Sequence, residues 1–535
     1  MTTTSLSRSI PFLPDPQQRA NVLEKSERAP FEQPVLDPEK WFLSAKELRT
    51  ARDGFERPNL ALFTTGNHVQ IYAATAEYFS DVADDIAQTR EHDLVYVTGW
   101  SVCNVPFKPL EAASTLHELL QAAVTHGADV RMLIWSNLME RKQVLEVRDF
   151  VNALPPPKAR GPARFVFDDR LPHTTSSHHQ KSVVVRKGRE LVAYVGGVDL
   201  TSNRWDTLEH DKHELRRRVG IERKGRKGWV DAHARILGPA AKDVATNFLA
   251  RWNSEPKPSQ DLLDDVFAFE NPKFSTLPPV EESDPPPVIP EDGSHAVQFV
   301  CTYSPDYDGY TDFAPMGEQS ILHARIKAIR NARNYVFIQD QYFILVPELL
   351  DVLLEVLPTI TRLVVIVQST AEASYTGYDK YLYDMVSPLQ LHFPDKFQFY
   401  TTKESRGLYI HSKVVIVDDV YVSLGSANWN RRSMTSDTEL GVNIVDTEHI
   451  PSPDNVTVNK LARAFRLRKF VEATKLPYEK LDAMTFVEAC DALQSAALDD
   501  GFSLIQPYTL QDKPRFDVDH VQRRIVDPED PLGDR

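Results

Sequence analysis

The chain alternates short apolar runs rich in β-branched residues with longer stretches in which apolar positions recur every three or four residues, the pattern of strand and helix in turn. From His68 onward the order reads as helical spacing over 72–89, a buried strand at Leu94 to Val97 closed by Thr98-Gly99-Trp100, a helix over 114–126 and a strand over 129–135. After a long interval it returns as a helix over 319–333, a strand over 335–339, a helix over 346–356 and a strand over 362–368. Such alternation predicts crossover units and a largely parallel sheet, and its recurrence predicts an internal duplication.

Each copy leads into a hairpin. In the second, Val414 to Val417 and Val420 to Leu424 meet at Asp418-Asp419; in the first, 182–186 is followed by Leu191 to Val195 across a turn at Lys187-Gly188. The expected layout is an α/β fold with an N-terminal arm (1–60, one helix over 44–53) and a first half (61–255). A proline-rich linker (256–295, with Asp284-Pro285-Pro286-Pro287) leads to a second half (296–477), then a C-terminal helix and a polar surface tail (478–535).

The hairpins carry the candidate chemistry. His411 and Lys413 stand two apart on an extended strand, so both side chains leave one face of the sheet. Gly425-Ser426-Ala427-Asn428 follows the partner strand and brings a hydroxyl and a carboxamide to the same end. His179 and Lys181 repeat the pair, with Gly196-Gly197-Val198-Asp199 after their partner strand. A lysine supplies a point charge for non-bridging phosphate oxygens, Ser and Asn supply hydrogen bonds, and His attacks phosphorus or moves a proton near neutral pH. The set suits a phosphodiester.

Composition narrows the partners. A net charge of −15 over 535 residues argues against a bulk nucleic-acid binder, whose affinity comes from neutralising phosphates, so no nucleic acid is expected. Cys103, Cys301 and Cys490 are too scattered for a disulfide framework or a zinc knuckle. No stretch reads as a signal peptide or a membrane span, which predicts a cytoplasmic protein with peripheral membrane association at most. The dense basic run, Arg216-Arg217-Arg218 and 223–227, reads either as a contact with anionic head groups or as a solvated loop.

His411, Lys413, Asp418, Gly425, Ser426 and Asn428 resemble the His-x-Lys-x-x-x-x-Asp…Gly-Ser-x-Asn signature of the phospholipase D superfamily. The block from His178 to Thr207, Gly228-Trp229-Val230-Asp231, Asn247-Phe248 with Arg251-Trp252, and Gln341-Tyr342-Phe343 resemble its eukaryotic-type members. The resemblance implies a duplicated fold, two similar halves each with a mainly parallel sheet flanked by helices, packed around one shared cleft. It implies His179 as the nucleophile that forms a phosphohistidine, and His411 as the general acid that becomes the base. Lys181 and Lys413 would hold the non-bridging oxygens, and Asp231 and Glu439 would orient the histidines. Asp199, Ser426, Asn428, His178 and Gln341 would meet the substrate, and Asp418, Gly197 and Gly425 would shape the motif.

The resemblance further implies no metal or cofactor, a monomer working at a phospholipid membrane surface, and water or an alcohol as acceptor. The implied activity is hydrolysis of phosphatidylcholine-like head-group esters to phosphatidic acid, with transfer to alcohols beside it. A phosphatidyltransferase of cardiolipin-synthase type, a nuclease and a non-catalytic lipid-binding protein are the alternatives. The pattern breaks once: Arg186 stands where the first signature has Asp, which puts the rigidity of the first half-site in question.

Overall fold

The structure, a computed structural model, describes residues 30–137, 140–155, 164–173, 175–211, 213–220, 228–258, 274–282, 287–368, 378–499, 501, 503–510 and 526. The first half contributes β1 (Thr64–Tyr72), β2 (Leu94–Gly99), β3 (Asp129–Trp135), β4 (Arg164–Asp168), β5 (Ser182–Lys187), β6 (Glu190–Gly196), β7 (Gly228–Val230) and β8 (His233–Leu237). The second contributes β9 (His295–Tyr303), β10 (Glu318–Gln319), β11 (Tyr335–Asp340), β12 (Arg362–Val367), β13 (Phe397–Thr402), β14 (Leu408–Ile410), β15 (Lys413–Val417), β16 (Tyr421–Gly425) and β17 (Glu439–Asp446).

Most of these strands join one sheet that runs through both halves. From the seam where β1 meets β9, the order is β1-β8-β6-β5-β2-β3-β4 in one direction and β9-β17-β16-β15-β11-β12-β13 in the other. The duplication is thus visible strand for strand. The expectation of a mainly parallel sheet is corrected: only β2, β3 and β4, and β11, β12 and β13, run parallel. Helical crossovers join the parallel neighbours β2, β3, β4 and β11, β12, β13, whereas the inner pairings are antiparallel and β5–β6 and β15–β16 close as hairpins.

Strand alternation divides the core. One face of the sheet carries a single core common to both halves, under helices Pro239–Asn253, Lys460–Thr474 and Phe486–Leu498. The other face carries two cores, one per half. The arm belongs to the second of these: Trp41 is fully buried and stacks on Tyr421 at 5.5 Å between ring centroids. The tail contributes Ile505–Pro507 as an antiparallel edge strand on β13, a firmer attachment than surface packing. Much of the proline-rich linker, 259–273 and 283–286, lies outside the described residues. Among the described residues no helix is long and apolar enough to cross a membrane.

Candidate active site

Each His-x-Lys pair is held by backbone from the opposite half. β14, which runs into His411, pairs in parallel with β7, and the His411 amide donates to Val230 O at 2.8 Å. Reciprocally, His178 bridges to Thr438, and the His179 amide donates to Thr438 O at 2.9 Å. The two rings therefore face each other across the seam, with centroids 6.5 Å apart.

The acids cross in the same way. Glu439, from the second half, lies 3.0 Å from His179 Nδ1; Asp231, from the first, lies 2.7 Å from His411 Nδ1. A carboxylate at Nδ1 fixes the tautomer and leaves Nε2 as the reacting nitrogen. Burial lowers the pKa of both histidines, further for His411, where Lys413 adds to the effect.

The acids themselves diverge. Burial alone would push the Glu439 carboxyl up, but His179, Ser426 and Lys181 hold it below its usual range, the Ser426 hydroxyl donating to Oε2 at 2.5 Å. Burial pushes Asp231 up to about 7, against the pull of Lys413 and a hydrogen bond from Ala232 N.

Both ammonium groups are buried against cavity-lining side chains. Lys181 Nζ donates to His179 O at 2.9 Å and lies 3.4 Å from Asp199. Lys413 Nζ donates to His411 O and to Gln341 Oε1, the latter at 3.3 Å. Burial lowers the Lys413 pKa to about 8, although Asp231 and Asp340 pull it up.

Between the histidines opens a cavity of about 380 Å³, with His179, His411, Asp199, Asn428 and Gln341 in its wall. Asn428 Oδ1 is buried there and has no hydrogen-bond partner among the described residues. Two expected substrate contacts are corrected. Ser426 is fully buried and spends its hydroxyl on Glu439, so it steadies an acid instead of meeting substrate. His178 turns away from the cavity, with Nδ1 2.9 Å from Thr438 Oγ1 and Nε2 3.2 Å from Asp168 in a buried cluster that includes Arg170 and Arg251; burial lowers its pKa to about 4.

Asp199 enters the wall, where it accepts from Trp100 N and Ser101 N and lies 3.4 and 3.7 Å from Lys181 and Arg204. Sequence reasoning assigned no role to Trp100, Trp135, Arg204, Trp229, Tyr342, Asn430, Arg432 or Asp437, all of which line the cavity. Arg204 and Trp229 sit inside blocks that carried the family resemblance, a signal that pointed to them without a role. Tyr378 also lines it, while its neighbour Tyr375 lies outside the described residues. Of the basic run, Arg216 is buried against Asp206, and 221–227 lies outside the described residues.

Gly425 serves the sheet: a Cβ there would lie 2.4 Å from Leu440 O, where β16 meets β17. Asp418, at the hairpin turn, accepts from the backbone amides of Arg333, Asn334 and Tyr335 at 2.6, 2.9 and 2.8 Å, tying the turn to the start of β11. In the first half the polarity is reversed. Asp93, at the start of β2, accepts from Gly188 N in the turn at 2.8 Å and from Arg90 N at 2.7 Å, and Arg186 lies 3.9 Å from it. The tie survives with the carboxylate on the other strand.

Two family models match the chain: Phospholipase D over residues 87–348, and Cardiolipin synthase, PLD-like domain, over 326–461. Among relatives, phospholipase D beta 1 of Arabidopsis thaliana is 26% identical over 501 residues, covering 69% of this chain and 46% of that one. Phospholipase D alpha 1 of Oryza sativa subsp. japonica is 26% identical over 507 residues, covering 70% and 60%. The chain thus spans 46% and 60% of the length of these relatives. A crystal structure of phosphatidylserine synthase from Haemophilus influenzae Rd KW20 aligns with a TM-score of 0.48 at 14% identity, over 76% of this chain and 87% of that one.

Proposed function

We propose that this chain, which belongs to the phospholipase D superfamily, hydrolyses the head-group ester of a phosphatidylcholine-like phospholipid to phosphatidic acid, and transfers the phosphatidyl group to alcohols when they are supplied. The observation that carries the proposal is the pair of imidazoles facing each other at 6.5 Å, each backed at Nδ1 by an acid from the opposite half.

In this reading His179 Nε2 attacks phosphorus and forms the N–P bond as the bond to the leaving oxygen breaks, and His411 gives that oxygen its proton. His411 then takes a proton from water or an alcohol, whose oxygen displaces His179. Lys181 and Lys413 meet the charge that grows on the non-bridging oxygens, and Asn428 completes the hydrogen bonding. Gln341, bonded to Lys413 and to the hydroxyls of Tyr342 and Tyr409, keeps that ammonium in place. The anchoring of the first hairpin by Asp93 speaks for a working half-site over a decayed one.

The test is release of choline from phosphatidylcholine vesicles by the purified protein with a primary alcohol present, beside His179→Ala and His411→Ala. Choline and phosphatidyl-alcohol from the wild type alone support the proposal; vesicle binding without release overturns it. The match of residues 326–461 to a cardiolipin-synthase domain favours a second reading, transfer to a lipid hydroxyl. Phosphatidylglycerol as the better acceptor than water would put that reading first.

A further inference from the structure

Both reactive imidazoles are held at Nδ1 by a carboxylate, but the two are not mounted alike. The Trp229 ring lies 4.4 Å from that of His411, centroid to centroid, and Arg204 Cζ lies 3.5 Å from the Trp229 centroid. Among the described residues the one ring packed near His179 is His411 itself. Arg204 is buried and lies 3.7 Å from Asp199, whose other oxygen is fixed by Trp100 N and Ser101 N. Trp229 belongs to β7, which pairs at Tyr409 with the strand that delivers His411. A continuous line of contacts, Asp199 to Arg204 to Trp229 to His411, therefore runs along the wall of the cavity, the indole tilted by 46° against the imidazole.

We propose that Trp229 and Arg204 are positioning residues for proton delivery by His411. The indole sets the plane of the imidazole so that Nε2 points at the leaving oxygen. The guanidinium, permanently charged, stands across the indole from a group that turns from cation to neutral as it acts, and like charge favours that loss. The proton passes from His411 Nε2 to the leaving oxygen while the P–O bond breaks and the His179 N–P bond forms, so no further reactant is needed. This inference rests on the reading of His411 as the general acid.

Leaving groups separate the roles. An alkoxide such as choline needs a proton to depart, whereas p-nitrophenolate does not. The experiment compares two rates: turnover of phosphatidylcholine, and the first-turnover burst of p-nitrophenol from a p-nitrophenyl phosphodiester. It uses the full chain and the variants Trp229→Ala, Trp229→Phe, Arg204→Gln and Arg204→Lys. The ratio of alkyl turnover to aryl burst is expected to fall by about 10² in Trp229→Ala and Arg204→Gln, the scale of a misplaced proton donor. It is expected to recover most of that loss in Trp229→Phe, which keeps a ring, and in Arg204→Lys, which keeps the charge. Equal falls in both rates, as misfolding or simple loss of packing would give, overturn the inference. A wild type that produces neither a burst nor choline overturns the phosphodiesterase reading beneath it.

Discussion

In the second half Ser426 follows β16 and its hydroxyl donates to Glu439; at the corresponding place in the first half stands Gly197, where a Cβ would lie 2.2 Å from Asp231 Oδ1. One half supplies its acid with a hydrogen-bond donor, and the other clears space for a shorter acid. The electrostatic result differs accordingly: Glu439 is held below the usual carboxylate range, whereas burial pushes Asp231 up to about 7. A carboxylate kept ionised behind His179 suits a nucleophile. The raised Asp231 carboxyl stands behind His411, the acid of the proposed reaction, whose own pKa burial lowers. Duplication delivered two equivalent frames, and the residue after one glycine gives their acids different surroundings.

The comparison breaks first at the histidines. His179→Ala and His411→Ala are each expected to lower turnover of an alkyl ester by about 10³ or more, since one removes the covalent route and the other the proton donor. With an activated aryl diester the two must differ. His411→Ala still forms a phosphohistidine that water cannot clear, visible by intact-protein mass spectrometry as an acid-labile adduct, while His179→Ala forms none. Adducts in both variants would mean the halves are interchangeable.

Substitution of the residues beside the acids sharpens the contrast. Gly197→Ala drives a methyl into Asp231 and is expected to cost about 10² in kcat by displacing the support of the proton donor. Ser426→Ala removes a hydrogen bond to a charged group, worth about 1.5–3 kcal/mol, and is expected to cost about tenfold. Steady-state kinetics on both variants checks the order, and the reverse order would sink the assignment of roles. A pH-dependent effect follows from Lys413. Burial lowers its pKa to about 8, so it is charged below that pH and neutral above, and kcat/KM is expected to fall about tenfold per pH unit on the alkaline side. Lys413→Arg keeps its charge and should remove that limb; a limb that stays belongs to another group.

The sequence carried the hairpins clearly, because β-branched runs flanking His-x-Lys have few other solutions, and strand 129–135 was read to its ends. It did not carry the seam. β9, whose pairing with β1 joins the halves, and β17 beside it lack a distinctive period because they are buried along most of their length. Nor did helix Lys460–Thr474 stand out, since it buries Arg463, Arg466, Lys469 and Glu472. Arg466 pairs with Asp419 and Glu472 with His210, both remote in sequence, while Lys469 pairs with Glu472 one turn on, so buried charges interrupt the apolar stripe of the helix. Asp231 and Glu439 were found through resemblance, but the crossing of each acid to the other half's histidine spans 180 and 260 residues and is a property of the fold alone.

The smallest effect on turnover, and the finest test of the comparison, lies at the hairpin ends, which hold the site without entering it. Asp418 satisfies three backbone amides, and Asp418→Ala is expected to cost about 2–3 kcal/mol of unfolding free energy by leaving buried donors unpaired. Asp93 holds two, and Asp93→Ala is expected to cost about 1–2 kcal/mol. Arg186 lies beside Asp93 and donates to Gly188 O at 3.0 Å, so Arg186→Asp does not restore a motif; it sets a second carboxylate against the first. That variant is expected to lose about 1–3 kcal/mol of stability in urea unfolding, with no gain in turnover. In Arg186→Asp combined with Asp93→Asn the repulsion is relieved, and stability should return most of the way. A several-fold rise in turnover from Arg186→Asp alone would show that the first half is a decayed copy of the second, and that its carboxylate just before β2 is no substitute for one in the turn.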